Sequence, residues 1–227
     1  MALPGGSVME TLENSRNRGL MGSEAFSDRD FERQKAALER PHYSFYRKFV
    51  PLKNQKRVML RFLNEEDRQD LISLFANAPD EDLRFCKHDL KDLSILNHWF
   101  DHINSPRLLP LGAVDLESHQ LIAAATLLRG KHTANHIGEI KLFIAKPFRN
   151  LGLGSILLDE LTLLAAQENL HWLKAEVVVD QKQMIRALRN KGFQIRANLE
   201  DFFMRKDGAT HDVAFMMRAL NQETDEL

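Results

Sequence analysis

The sequence predicts an α/β (α+β) fold: a single domain around a mixed, mostly antiparallel sheet. Three stretches carry that expectation. Residues 136–168, HIGEIKLFIAKPFRNLGLGSILLDELTLLAAQE, read as strand, glycine turn and helix. Ile140, Leu142 and Ile144 alternate onto one face, while Leu153, Leu157, Leu161 and Leu164 recur at helical spacing. Residues 172–179 read as a continuous apolar strand, as expected of one parallel to the first and buried on both faces, with the helix as crossover. Residues 108–114 and 121–128 flank a polar turn at 115–120, which has the form of a hairpin.

The remaining elements follow in order. Residues 1–27 carry few large apolar side chains and cannot bury enough surface to offset the entropy of ordering, so disorder is expected. Residues 28–40 could open a short helix, capped by Ser27 or Asp28 and followed by Pro41. In HYSFYRKFV, the residues His42, Phe45, Tyr46 and Phe49 fall at helical spacing. That predicts an amphipathic helix packed on the main domain or a second subunit, or serving as a lid. Residues 1–56 thus read as an extension, 57–220 as the domain and 221–227 as an acidic tail. Val58, Leu60 and Phe62 alternate as the first strand, and Asn64 to Asp67 opens a helix carrying Leu71, Leu74, Phe75 and Ala78. A second helix has Leu93, Leu96 and Phe100 in register. Pro110 suggests that the next strand lies at an edge or begins irregularly. Residues 181–191 form a helix ending at Gly192, where a left-handed cap residue is needed. Two last strands, near 193–196 with 202–205 and at 212–218, are separated by the turn Asp207-Gly208.

With 227 residues, 44% of them hydrophobic, the chain can bury one good core. A net charge of −1 leaves no general electrostatic footprint for nucleic acid or an anionic membrane. The lone Cys86 excludes an internal disulfide and, with no Cys/His cluster, argues against a structural zinc site. No run approaches the ~18 apolar residues of a membrane span, and the N-terminus lacks the order of a secretory signal. A cytoplasmic location is expected.

The chemistry concentrates in Arg149-Asn150-Leu151-Gly152-Leu153-Gly154. Two glycines at a helix start leave backbone N–H groups uncovered, with the helix dipole behind them, which makes an anion site suited to a phosphate. Lys146 and Arg149 add positive charge at its rim. A P-loop would end in Gly-Lys-Ser/Thr, which is absent. A dinucleotide fingerprint would need glycine at 157, where Leu157 stands, although Asp180 lies at a plausible distance for a ribose partner. The pattern that remains, Arg/Gln-x-x-Gly-x-Gly/Ala, resembles the pyrophosphate loop of the GNAT superfamily of acyl-CoA-dependent N-acyltransferases.

The order of elements across about 57–220 also resembles that superfamily, and implies helices on both sheet faces and a parallel pair that splays at the coenzyme cleft. The phrases VMLRFLNEEDRQDLISLFANAPDEDLRFC and MIRALRNKGFQI are similar to the catalytic domain of bacterial Pat-type protein lysine acetyltransferases, with Arg61, Arg84-Phe85, Met184 and Gly192-Phe193 matching. The resemblance implies acetyl-CoA as cosubstrate, no metal, and an amine acceptor, with a protein lysine favoured. It implies coenzyme contacts from the backbone of Leu142, Phe143 and Ile144, from the loop Arg149, Asn150, Leu151, Gly152, Leu153, Gly154 and Ser155, and from Gln181 in place of a common asparagine. It places Glu139 at the position of the catalytic glutamate. Glu139 faces with Lys141 and Phe143, and Lys141 would hold it ionised and weaken it as a base. Leu188 stands where many members carry a tyrosine that protonates the leaving thiolate. His132 and His136 read as surface residues. An acyl-CoA-binding sensor without turnover, a small-molecule amine acceptor and a homodimer stay open at this point.

Overall fold

The computed structural model describes Tyr43 and residues 45–220. The disorder expected for 1–27, the helix at 28–40 and the acidic tail lie outside the described residues. Eight strands form one sheet: β1 (Arg47–Pro51), β2 (Arg57–Phe62), β3 (Leu108–Asp115), β4 (Leu121–Arg129), β5 (Ile137–Ile144), β6 (Trp172–Val178), β7 (Gln194–Met204) and β8 (Thr210–Ala219). Their order is β1-β2-β3-β4-β5-β6-β8-β7, and every neighbouring pair is antiparallel except β5–β6. The helices are α1 (Arg68–Ala76), α2 (Asp80–Leu83), α3 (Leu93–Asp101), α4 (Leu153–Gln167) and α5 (Lys182–Asn190).

Two apolar layers sandwich the sheet. On one side Leu153, Leu157, Leu161 and Leu164 of α4 pack with Leu60, Leu111, Leu127 and Leu173. On the other, Leu71, Leu74 and Phe75 of α1 and Leu96 and Phe100 of α3 pack with Leu63, Val114 and Leu121. The helix at Asn64 starts as its sequence predicts: Asn64 and Asp67 form a capping box over a 3-10 turn that leads into α1. Arg61 is bidentate to the same Asp67, with Nη1 at 2.7 Å from Oδ2, so this arginine fastens the first helix to β2.

Several expectations need correction. Phe49 belongs to strand β1 rather than to a helix, because the free edge of β2 offers a complete ladder and a run this short fits period two as well as period 3.6. Val50 and Leu52 point into the core at 8% and 4% exposure, so the sheet begins at Arg47 rather than Arg57. Pro110 lies in an interior strand. Its carbonyl accepts the Leu63 N–H (2.9 Å) just past the last β2–β3 pair, so its missing N–H points beyond the end of β2 and costs the ladder nothing. Strand β6 is buried on one face only, through Leu173, Ala175 and Val177, while Lys174 and Glu176 occupy the other. Leu93 opens α3 exposed, at 54%, instead of joining Leu96 and Phe100 inside. Strand β7 is continuous, with register shifts that absorb the interruption read between 196 and 202.

Candidate active site

Strands β5 and β6 pair only at Ile137↔Trp172, Gly138↔Leu173 and Glu139↔Lys174, and then diverge. Beyond that point β5 stays bonded to β4 up to Ile144, and β6 to β8 up to Val178. Each strand is therefore held by its outer neighbour while a wedge opens between them. The edges of Leu142, Phe143 and Ile144 that face β6 are left without a strand partner, as the sequence resemblance implied. An unpaired strand edge of this kind can bond the amides of an extended ligand arm.

The glycine loop closes the wide end of the wedge. Asn150 (φ 61°) and Gly152 (φ 92°) are both left-handed, and Gly152 is the N-cap of α4 with no side-chain cap bond. The N–H groups that follow, from Leu153 to Ser155, have no acceptor within the helix. A Cβ on Gly154 would meet Ile144 Cδ1 at 3.3 Å, so the helix start lies close against the splayed strand. Gln181, which follows β6, is the N-cap of α5 at the same end and makes no side-chain cap bond. The residues thus fit an extended arm ending in phosphates. Arg149, expected at the phosphate rim, is turned back. Its Nε donates to Ile144 O (2.8 Å) and its Nη1 to Asp82 Oδ1 (2.8 Å) on α2. Leu188 is 1% exposed and packed in the main core, so nothing at that position can donate a proton.

The face of the wedge toward α1 carries a row of charges. Glu139 lies 3.1 Å from Lys174 Nζ and 3.7 Å from Lys141 Nζ. Lys174 also bonds Glu176 at 2.9 Å, and Glu176 is closed off by Lys87 from the segment after α2. Burial lowers the Lys174 pKa, but the bonds to Glu176 and Glu139 outweigh it and leave the ammonium above its ordinary range. Burial likewise raises Glu176, and the bonds from Lys87 and Lys174 bring it net below the usual glutamate value. Lys174, Glu176 and Lys87 were missed in the sequence. The available signal was two charged residues at alternate positions of an otherwise apolar strand.

A cleft of about 760 Å³ lies between the segment Asp80 to Lys91 and the β7–β8 turn, with Lys87 of this row in its lining. Phe203 lines it and packs against Phe85, ring centroids 6.3 Å apart, and Phe85 in turn packs against His211 at 5.2 Å. Three cleft carboxylates are matched by cleft cations: Asp80 by Lys91 (2.6 Å), Asp207 by Arg205 (2.8 Å) and Asp89 by Lys206. Cys86 lines the same cleft, and burial pushes its thiol up despite Lys141 nearby, so it is no primed nucleophile. Asp180 is no free ribose partner, since it binds His211 Nδ1 at 2.7 Å. Among the described residues no group of three or more His, Cys, Asp and Glu could hold a metal, and no helix is long and apolar enough to cross a membrane.

The model of the acetyltransferase (GNAT) family matches residues 69–193, more than half of the chain. This chain belongs to the GNAT family and is an acyl-CoA-dependent N-acetyltransferase that uses acetyl-CoA. Solved structures show the same fold at low identity. A ribosomal-protein-alanine N-acetyltransferase from Brucella melitensis superposes with TM-score 0.63 at 24% identity, covering 71% of this chain and 99% of that one. The GNAT domain of S. lividans PAT gives 0.62 at 17%, covering 79% and 98%. A spermidine N-acetyltransferase from Vibrio cholerae, solved with CoA and spermine, gives 0.62 at 19%, covering 72% and 95%. No curated protein matches the sequence.

Proposed function

We propose that the acceptor is a lysine side chain of a protein, acetylated by direct attack on the thioester with Glu139 taking up the amine proton through a water. The observation that carries this reading is the wide cleft in which three of four carboxylates, all but Glu81, are matched by its own cations. A polyamine site would need unmatched carboxylates spaced along a narrow channel. A mixed-charge, open cleft with Phe203 in its lining suits a peptide segment instead. The phrases shared with Pat-type enzymes support the same choice, since Arg84 lines that cleft with its guanidinium over the Phe85 ring.

In this reading the pantetheine arm bonds the free edge of Leu142, Phe143 and Ile144. The pyrophosphate lies on the N–H groups of the segment Arg149, Asn150, Leu151, Gly152, Leu153, Gly154 and Ser155, beside Gln181. The lysine nitrogen attacks the carbonyl carbon, its proton passes to Glu139, and the C–S bond breaks with its electron pair on sulfur. A lysine at pH 7 loses its proton at a cost of about 4.6 kcal/mol, which the carboxylate offsets in part. A thiolate with a pKa near ~8.5 leaves without a tyrosine at position 188. The half-buried Cys86, its thiol pKa pushed up by desolvation, argues against an acetyl-enzyme intermediate.

The test offers the purified protein and acetyl-CoA three acceptors: lysine peptides, peptides with an N-terminal alanine, and spermidine. CoA release and product mass are followed. Lysine peptides acetylated on Nζ are expected. Turnover of spermidine or of the alanine amine, with lysine peptides untouched, refutes the reading.

A further inference from the structure

The β1–β2 turn brings a cation to the glycine loop that no motif marks. Lys53 follows the buried Leu52, and its own N–H donates to Leu151 O at 3.1 Å, so its backbone is fastened to the loop. A Cβ built on Gly152 would lie 3.9 Å from both Cγ and Cε of Lys53, so the lysine stem runs beside the N-cap residue of α4. Lys53 is exposed, and among the described residues no carboxylate pairs with it. Its neighbours differ. Arg149 is engaged by Ile144 and Asp82, and Lys56 by Glu117 at 2.7 Å. Lys53 also stands outside residues 69–193, where the family model matches.

We propose that Lys53 is a phosphate ligand of the coenzyme, supplying from the N-terminal hairpin the charge that Arg149 spends on α2. This rests on reading residues 149–155 as the coenzyme loop. An ammonium on a four-carbon stem suits a phosphate as a mobile point charge and needs no fixed fork geometry. Either the pyrophosphate or the 3′-phosphate could be its partner, and the same chemistry serves both.

Calorimetry on the full chain separates the outcomes. Lys53→Met keeps the stem and the backbone N–H, and should weaken CoA binding about tenfold, ~1.4 kcal/mol, with the melting temperature unchanged. Lys53→Arg should retain most of the affinity. A loss that persists with 3′-dephospho-CoA assigns the pyrophosphate, and a loss that disappears assigns the 3′-phosphate. The gap between parent and variant should narrow as salt rises. Parental affinity in Lys53→Met, or a loss insensitive to salt, overturns the proposal. Gly154→Glu is the companion variant. If it too binds CoA like the parent, the coenzyme-loop reading itself fails, whereas its loss of binding beside an unaffected Lys53→Met overturns only the role of Lys53.

Discussion

Glu160 lies on α4 with 2% of its surface exposed, and two residues of the N-terminal hairpin complete it. Tyr46 OH donates to one carboxylate oxygen, and Lys48 Nζ lies 2.6 Å from the other. Replacing both partners, as Tyr46→Phe with Lys48→Met, leaves a buried carboxylate uncompensated. Breaking a buried pair in this way costs ~3–5 kcal/mol. For a domain of this size that is a fall in Tm of about 6–20 °C. Urea and thermal unfolding at pH 7 would measure it. Adding Glu160→Leu to the double variant should recover most of the loss, because a buried ion pair exchanged for apolar groups is close to neutral. The phenol of Tyr46 is raised well above its ordinary value near ~10, by burial first and then by the bond to Glu160. A group raised in the folded state stabilises it below its unfolded pKa, so stability should fall as pH climbs beyond about 10, and Tyr46→Phe should flatten that fall. A double variant within about 1 kcal/mol of the parent, well short of the ~3–5 kcal/mol expected of a broken buried pair, would refute the account. β1 would then be a passive strand.

Glu139→Gln keeps size and hydrogen bonding but removes the basic group, so turnover should drop by ~10² or more at pH 7 while CoA binding by calorimetry survives. The defect should shrink toward the amine pKa, and parental turnover at pH 7 would reduce Glu139 to a partner of Lys174. For Glu176 the sign runs the other way from Tyr46: its pKa is depressed on folding, so it stabilises above the unfolded value and the contribution is lost as pH falls through the folded one. Glu176→Gln should therefore show a shallower loss of stability below about pH 4.5 than the parent, read by urea midpoints across an acid series.

Local sequence determined what depends on neighbours along the chain. The strand–glycine turn–helix unit, the Asn64 capping box, the Gly192 cap and the outward facing of Glu139 were all legible, because each follows from the chain's own period or from backbone requirements within a few residues. The same signals located the loop from Arg149 to Ser155, and the family resemblance pointed to the strand edge beneath it. What only the tertiary structure decided involves partners far apart in sequence. Strand β1 exists because β2 has a free edge to pair with, an interaction that no short periodicity reports. Pro110 is harmless in an interior strand because β2 happens to end beside it. Arg149 reads as a phosphate cation until Asp82, on a separate helix, claims its guanidinium. Glu139 reads as a carboxylate beside one lysine until β6 sets Lys174 across from it, and Lys174 draws in Glu176 and Lys87. Coulomb and hydrogen-bond partners act over a few ångströms in space whatever their separation in the chain, so the folded sheet, not the motif, decides which charges near the glycine loop are spent on structure and which are left for a ligand.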